Sequence, residues 1–441
     1  MLGYGYPPES LKRGIAANPA FIGVDSGSTD PGPYYLGSGK PFVGRMSVLR
    51  DLEPALLSAQ KKGIPLIVGT AGGSGAAPHV EWFLSILREI AERHGLHPRV
   101  AVIRADLDAG LVEKALDEGR ITPCGPPLAL SIEAIRDCSH LVGQMGTGPL
   151  QRALAMEPDV IVAGRCCDTA IFAAVPMARG FDGGLAMHCA KIAECGTLCA
   201  TPGGANDGLI CTLRKDHFVV APANATKACT PETVAAHSLY EQPDPNCFYE
   251  PEGKIDLSDC SFEAIDARRV RVSGSRLIPP AAKTIKIEGA RPVGYRAVTI
   301  AGVRDPAAIE RWDAIERNVH EAVERNLRGV LDSKEYSLRF LRFGRDAVLG
   351  ERETAADLPH EMGIVIEAVA PTQDHADTVL GLARSTALHQ AFEGRKTTAG
   401  NLAFPFSPSD FRGGPVFEFA VYHLMKTDEE DVLFPVEIQT W

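Results

Sequence analysis

Arg165, Cys166, Cys167 and Asp168 follow directly on the apolar run 159–163, and His188, Glu194 and Cys195 come shortly after. A guanidinium, a carboxylate, an imidazole and a thiol at the exit of what reads as a buried parallel strand mark the place where open α/β sheets bind ligands. Arg165 could clamp a carboxylate in two-point fashion, Asp168 could orient it or a neighbouring His, and His188 with Glu194 offers an acid/base pair. Equally, His188 could be a histidine satisfied inside a core. Cys195, between Glu194 and Gly196, is a candidate nucleophile. Cys189, Cys195 and Cys199 could ligate a metal, but their spacing matches no standard zinc or iron–sulfur pattern.

Two further strand exits carry polar groups. Asp25, Ser28, Thr29 and Asp30 put two carboxyls and several hydroxyls on a Gly-rich turn, able to hold a cation or a substrate hydroxyl, or simply to satisfy the turn's own backbone. Gly72, Gly73, Ser74 and Gly75 precede a helix whose first turn holds His79. Glycines let amides approach an anion, and a helix N-terminus adds partial positive charge there. The loop lacks the Lys-Ser/Thr of a P-loop, and Pro78 stands where a dinucleotide fingerprint has its third Gly. The turn 143–149 could complete the floor of the same crevice. The catalytic expectation therefore requires that the stretches around residues 25, 72, 165 and 190 meet.

Alternating short apolar runs and amphipathic stretches supply the elements. Residues 21–24, 64–68, 100–103, 140–142 and 159–163 read as strands, with helices at 46–62 and 77–94. The expected fold is α/β, with a doubly wound mostly parallel sheet in the N-terminal half. A β-rich connector follows, with a hairpin at 210–213 and 217–220 and a helix opened by Thr230 as N-cap and Pro231. The order strand 294–300, helix 306–331, strands 337–343 and 361–369, helix 374–392, strand 416–423 predicts an α+β ferredoxin-like C-terminal domain. The corresponding divisions are 1–215, 216–290 and 291–441. In the last, Arg384, His389, Asn401 and the Pro-flanked run 404–410 precede Glu418, Tyr422 and His423, a rigid loop or a cap over the crevice.

Composition narrows the class. With 45% apolar and 23% charged residues, the 441-residue chain has enough apolar content for folded cores. A net charge of −11 argues against an extended nucleic-acid surface, and no apolar run is long enough to span a bilayer. No targeting pattern opens the chain, so a cytoplasmic location is expected, with its eleven cysteines reduced. A homo-oligomer is the general expectation for such an enzyme.

Ala163-Gly164-Arg165, Asp168, Glu194-Cys195-Gly196, Leu239-Tyr240-Glu241, Asp244-Pro245, Arg271-Val272-Ser273-Gly274 and the segment 401–408 resemble, in that order, the acyclic terpene utilisation AtuA family. The resemblance implies a catabolic setting for branched acids and CoA thioesters, and a small companion subunit. Together with the residues, it leads to the expectation of a lyase or hydratase acting on a small branched unsaturated carboxylic acid or its CoA thioester. An acyl or CoA-group transferase using Cys195 or Glu194, and a non-catalytic subunit of a two-component enzyme, are the alternatives. The cofactor stays open between a divalent metal and none, with an iron–sulfur cluster disfavoured.

Overall fold

Asp25 pairs with Gly69, and Val68 pairs with Val162, so the register of a parallel sheet brings three strand exits side by side. The computed structural model describes residues 2–125, 129–396, 398–428 and 430–441. Its chain forms two compact units, Met1–Arg291 with Phe419–Trp441, and Pro292–Glu418.

The first unit holds a five-stranded sheet in the order Ile22–Asp25, Leu66–Gly69, Val160–Ala163, Arg99–Ile103, Val436–Thr440. The first four strands run parallel and the last antiparallel. Alternation along the strands serves two cores. Val68, Val100, Val160 and Val162 pack with Leu52, Leu56, Phe83 and Leu87 of helices Arg45–Lys62 and Ala77–His94. Ile67, Ala101, Ile161 and Ala163 pack with Leu150, Ala170, Ile171 and Ala174 of helices Thr147–Leu154 and Asp168–Ala178. Helices on both faces explain why the central strands read as unbroken Val and Ile.

One predicted strand goes elsewhere. His140–Gln144 pairs antiparallel with Lys286–Ala290 rather than joining the parallel sheet. Apolar content gives burial but not the choice of partner, and this partner comes from far along the sequence.

The unit also holds two antiparallel sheets, one of Leu209–Leu213, Phe218–Pro222, Val270–Ser273 and Ser261–Ala264, the other of Cys247–Glu250, Gly253–Asp256 and Arg276–Ile278. Helix Pro231–Ser238 starts as its sequence predicts, with the Thr230 side chain accepting from the Thr233 amide and Thr233 returning the bond to the Thr230 amide.

In the second unit, Met362–Ala370 pairs antiparallel with Ser337–Phe343 on one side and with the segment 295–303 on the other. Helices Trp312–Leu327 and Gln373–His389 pack on this sheet through Trp312, Ile315, Val379 and Leu380. The helix predicted over 306–331 is broken. Pro306–Glu310 ends at Arg311, which has non-helical ψ, directly before the fully buried Trp312. Among the described residues, no helix is long and apolar enough to cross a membrane.

Candidate functional site

Three loops leave the parallel strands together, and their glycines permit the contact. A Cβ at Gly27 would lie 2.2 Å from the Gly73 carbonyl, and one at Gly75 would lie 2.1 Å from the Arg165 nitrogen. The backbones are then joined by Ser26 N to Gly69 O, Thr70 N to Gly164 O and Arg165 N to Gly75 O. The stretches around residues 25, 72 and 165 therefore do meet, and Lys191 lies close enough for its charge to act on Asp168.

At their junction stand two carboxyls. Asp25 ends its strand and accepts from the Gly27 amide at 3.1 Å. Burial, then the neighbouring Asp168 charge, push its pKa up to about 8. Asp168 opens helix Asp168–Ala178 and lies 3.6 Å from the Arg165 guanidinium, with 32% of its side chain still reachable by solvent. Its pKa is also raised, by burial against the opposing pull of Arg165 and with a further push from Asp30. Since Arg165 stands beside Asp168, the proton retained at neutral pH is best placed on Asp25.

Glu288 organises the cations. It is fully buried; its Oε2 accepts from Arg165 Nε at 2.9 Å, and its Oε1 accepts from Lys286 Nζ at 2.8 Å and Thr29 Oγ1 at 3.0 Å. Burial alone would raise Glu288, but Arg165 and Lys286 hold it down to about 2. Lys286 also donates to the Tyr422 hydroxyl at 2.7 Å. Arg165 is thus a neutralised, buried cation, its Nη1 donating to the Cys166 carbonyl at 2.9 Å, and not the free carboxylate clamp expected from the sequence.

A second group adjoins. Lys191 donates to Glu194 at 2.6 Å, both nearly buried. The Cys167 thiol donates to Glu250 at 2.8 Å, and burial pushes Glu250 up to about 7. Glu252 accepts from the Thr147 amide at 2.5 Å, which fills the N-terminus of the helix after the turn 143–149. Carboxyls outnumber cations throughout this cluster, so protons are retained on some of them.

Several expected roles are not met by the geometry. His188 does not pair with Glu194. It is fully buried, with Nδ1 2.7 Å from Ser275 Oγ and Nε2 2.8 Å from Ser238 Oγ, and the rings of Phe218, Phe248 and Phe262 surround it. Burial drives its pKa down to about 3, so it is a neutral core histidine. Burial and Glu194 push the Cys195 thiol up to about 12, which removes the thiolate a nucleophile needs. Cys189 and Cys199 neighbour Cys211 and Cys229 respectively, and the Cys199 thiol donates to the Gly196 carbonyl at 3.8 Å. Among the described residues, no group of three or more His, Cys, Asp or Glu side chains is arranged to hold a metal ion.

The Gly72–Gly75 loop (Gly72, Gly73, Ser74, Gly75) is packed rather than open. The Gly73 amide donates to the Thr70 carbonyl, and the Ala77 amide, at the helix N-terminus, donates to Asp106 Oδ1 at 2.9 Å. His79 is buried under Gly72 and donates from Nε2 to the Lys40 carbonyl at 2.9 Å. Ser28 and Asp30 close on each other at 2.7 Å as an ordinary turn, while Thr29 turns inward to Glu288. In the second unit, Arg384 pairs with Asp410, and Asn401 donates to the Ala387 and Gln390 carbonyls.

Sequence reading missed Glu288, Lys286, Lys191 and Glu250 and placed Tyr422 in the wrong company. A signal existed for two of them. Ile285 and Ile287 alternate with Lys286 and Glu288, so a strand buried on one face brings two opposite charges to the other.

A family model described as acyclic terpene utilisation family protein AtuA matches residues 45–202 and 213–406. The chain belongs to this family. No curated protein and no solved structure matches it. The AtuA match takes in Arg165, Asp168, Lys191, Glu194, Glu250 and Glu288, but Asp25, Thr29 and Tyr422 lie outside it.

Proposed function

We propose that this AtuA-family chain is a carbon–oxygen lyase of the hydratase type. Its substrate would be a small branched unsaturated carboxylic acid or its CoA thioester, used in a catabolic pathway. The observation that carries the reading is the Asp25–Asp168 pair, in which burial and Asp168 push Asp25 up to about 8 and Asp168 is partly open to solvent beside a fixed guanidinium. In the addition direction, Asp168 takes a proton from water, the hydroxyl oxygen bonds to the β-carbon, and Asp25 gives its proton to the α-carbon. The two carboxyls then exchange the proton to reset. Arg165, immobilised by Glu288, would hold Asp168 in position through these steps.

The elevated Cys195 thiol and the Lys191-bound Glu194 do not favour the transferase reading. We also read the parallel sheet as doubly wound and the second unit as ferredoxin-like; the order Ser337–Phe343, Met362–Ala370, Thr284–Val303, Asp410–Lys426 supports the latter.

The test is to incubate the purified chain with branched 2-enoic acids and their CoA thioesters in deuterium- and oxygen-18-labelled water, with mass spectrometry of the products. The reading expects both labels in a hydrated product, and loss of both labels with Asp168→Asn. Absence of label with every substrate tried would point instead to a subunit that needs a partner.

A further inference from the structure

A cavity of about 740 Å³ opens within the first unit, a size that encloses a whole small molecule. Its walls are mostly apolar. Helix Gly183–Ala193 lends Ala186, Ala190 and Ala193, spaced by four and three residues and so on one face, while Leu11, Ile15 and Ile210 stand on other walls. The wall that carries Leu11 and Ile15, helix Pro8–Ala16, is fixed in place. Buried Asp51 accepts from the Gly3 and Gly5 amides at 2.8 and 2.9 Å, and Arg13 donates to the Ala223 carbonyl at 2.5 Å.

The acids on this lining divide by what they already hold. Asp51 is used by the N-terminal amides, and Asp207 accepts from the Gly208 amide and Asn224. Asp25 and Glu194 also reach the lining, and they are the two that belong to the cluster described above. Arg179 and Arg214 lie on the same lining and are exposed, whereas beside Asp25 and Glu194 an uncharged oxygen is favoured, because a carboxylate there would face like charge or require further protonation.

We infer that this cavity binds a molecule with a medium-length apolar chain and a neutral carbonyl or hydroxyl oxygen, the chain along the alanine face and the oxygen at Asp25 and Glu194. The inference deepens the hydratase reading, because Asp25 serves both. It selects the thioester form over the free acid. Burial pushes Asp25 up to about 8 and Glu194 above its ordinary range, so Asp25 can donate to the oxygen near neutrality while Glu194 is held by Lys191.

Calorimetric titration of the full chain at about pH 6.5 with 2-alkanones, from 2-hexanone to 2-dodecanone, and with carboxylates of matching length tests it. Each added methylene is expected to tighten ketone binding about fourfold until the cavity is full, with carboxylates at least about tenfold weaker. Ala193→Phe should shorten the preferred chain and Ile210→Ala lengthen it. Ketone affinity should fall above about pH 8, as Asp25 loses its proton. Affinity independent of chain length, carboxylates binding as well as ketones, or a preferred length unmoved by both variants would overturn the inference. Saturated ketones have no double bond to hydrate, so these outcomes are independent of the labelled-water experiment.

Discussion

His188 and the Asp25–Asp168 pair are both polar groups enclosed by the first unit, yet their surroundings are opposite. Around His188, two serine hydroxyls meet both ring nitrogens and three phenylalanine rings exclude water, leaving a neutral group with nothing left to donate or accept. Around Asp25 and Asp168, like charges sit together, Arg165 compensates incompletely, and solvent still reaches Asp168. Residue type favoured the histidine as the proton-transfer group. The difference teaches that reactivity follows unresolved charge with access to water, and that a satisfied imidazole contributes packing instead.

The sharpest way to break this contrast is to remove the residue that holds the cations. Glu288→Gln leaves Arg165 and Lys286 buried beside a neutral amide and should cost roughly 3–5 kcal/mol in urea unfolding; a loss below about 1 kcal/mol would show that the cluster is not held through Glu288. Asp168→Asn should lower hydration at least about a hundredfold while leaving the unfolding midpoint unchanged or higher, since it also removes repulsion from Asp25 and Asp30.

His188→Gln should do the reverse, sparing turnover but costing about 1–3 kcal/mol through the loss of the buried ring bonds to Ser238 and Ser275. Its pH signature is specific. With the native pKa at about 3 against an ordinary 6.5, the unfolded chain takes up the proton first. Native stability from this residue is therefore full above about pH 6.5 and is lost as pH falls toward 3. The variant should flatten that decline in thermal melts across the window. Smallest of all, Thr230→Ala should cost about 1 kcal/mol by removing a helix cap, with no effect on catalysis.

Much of the fold was legible because local rules decide it. Val and Ile runs became central strands, helix Ala77–His94 appears where its spacing places it, and Thr230-Pro231 opens a helix. Partner choice was not legible: His140–Gln144 looked like another parallel strand but pairs with Lys286–Ala290. The site divides along the same line. Asp25 and Asp168 were visible as strand-exit acids. Glu288, Lys286 and Tyr422 were not, because they reach Arg165 and Thr29 only through pairings distant in sequence. The glycines of the 72–75 loop admit close approach of neighbouring backbone, a role their sequence did not reveal.

The claim under all of this is that Asp25 keeps its proton at neutral pH because Asp168 lies beside it in a buried place. Carbon-13 NMR titration of the aspartate carboxyls, with Asp25 assigned by its disappearance in Asp25→Asn, measures this without any substrate. The account predicts that Asp25 titrates near pH 8 and moves to lower pH in Asp168→Asn. Titration close to the ordinary value of 3.8 in both proteins would contradict it.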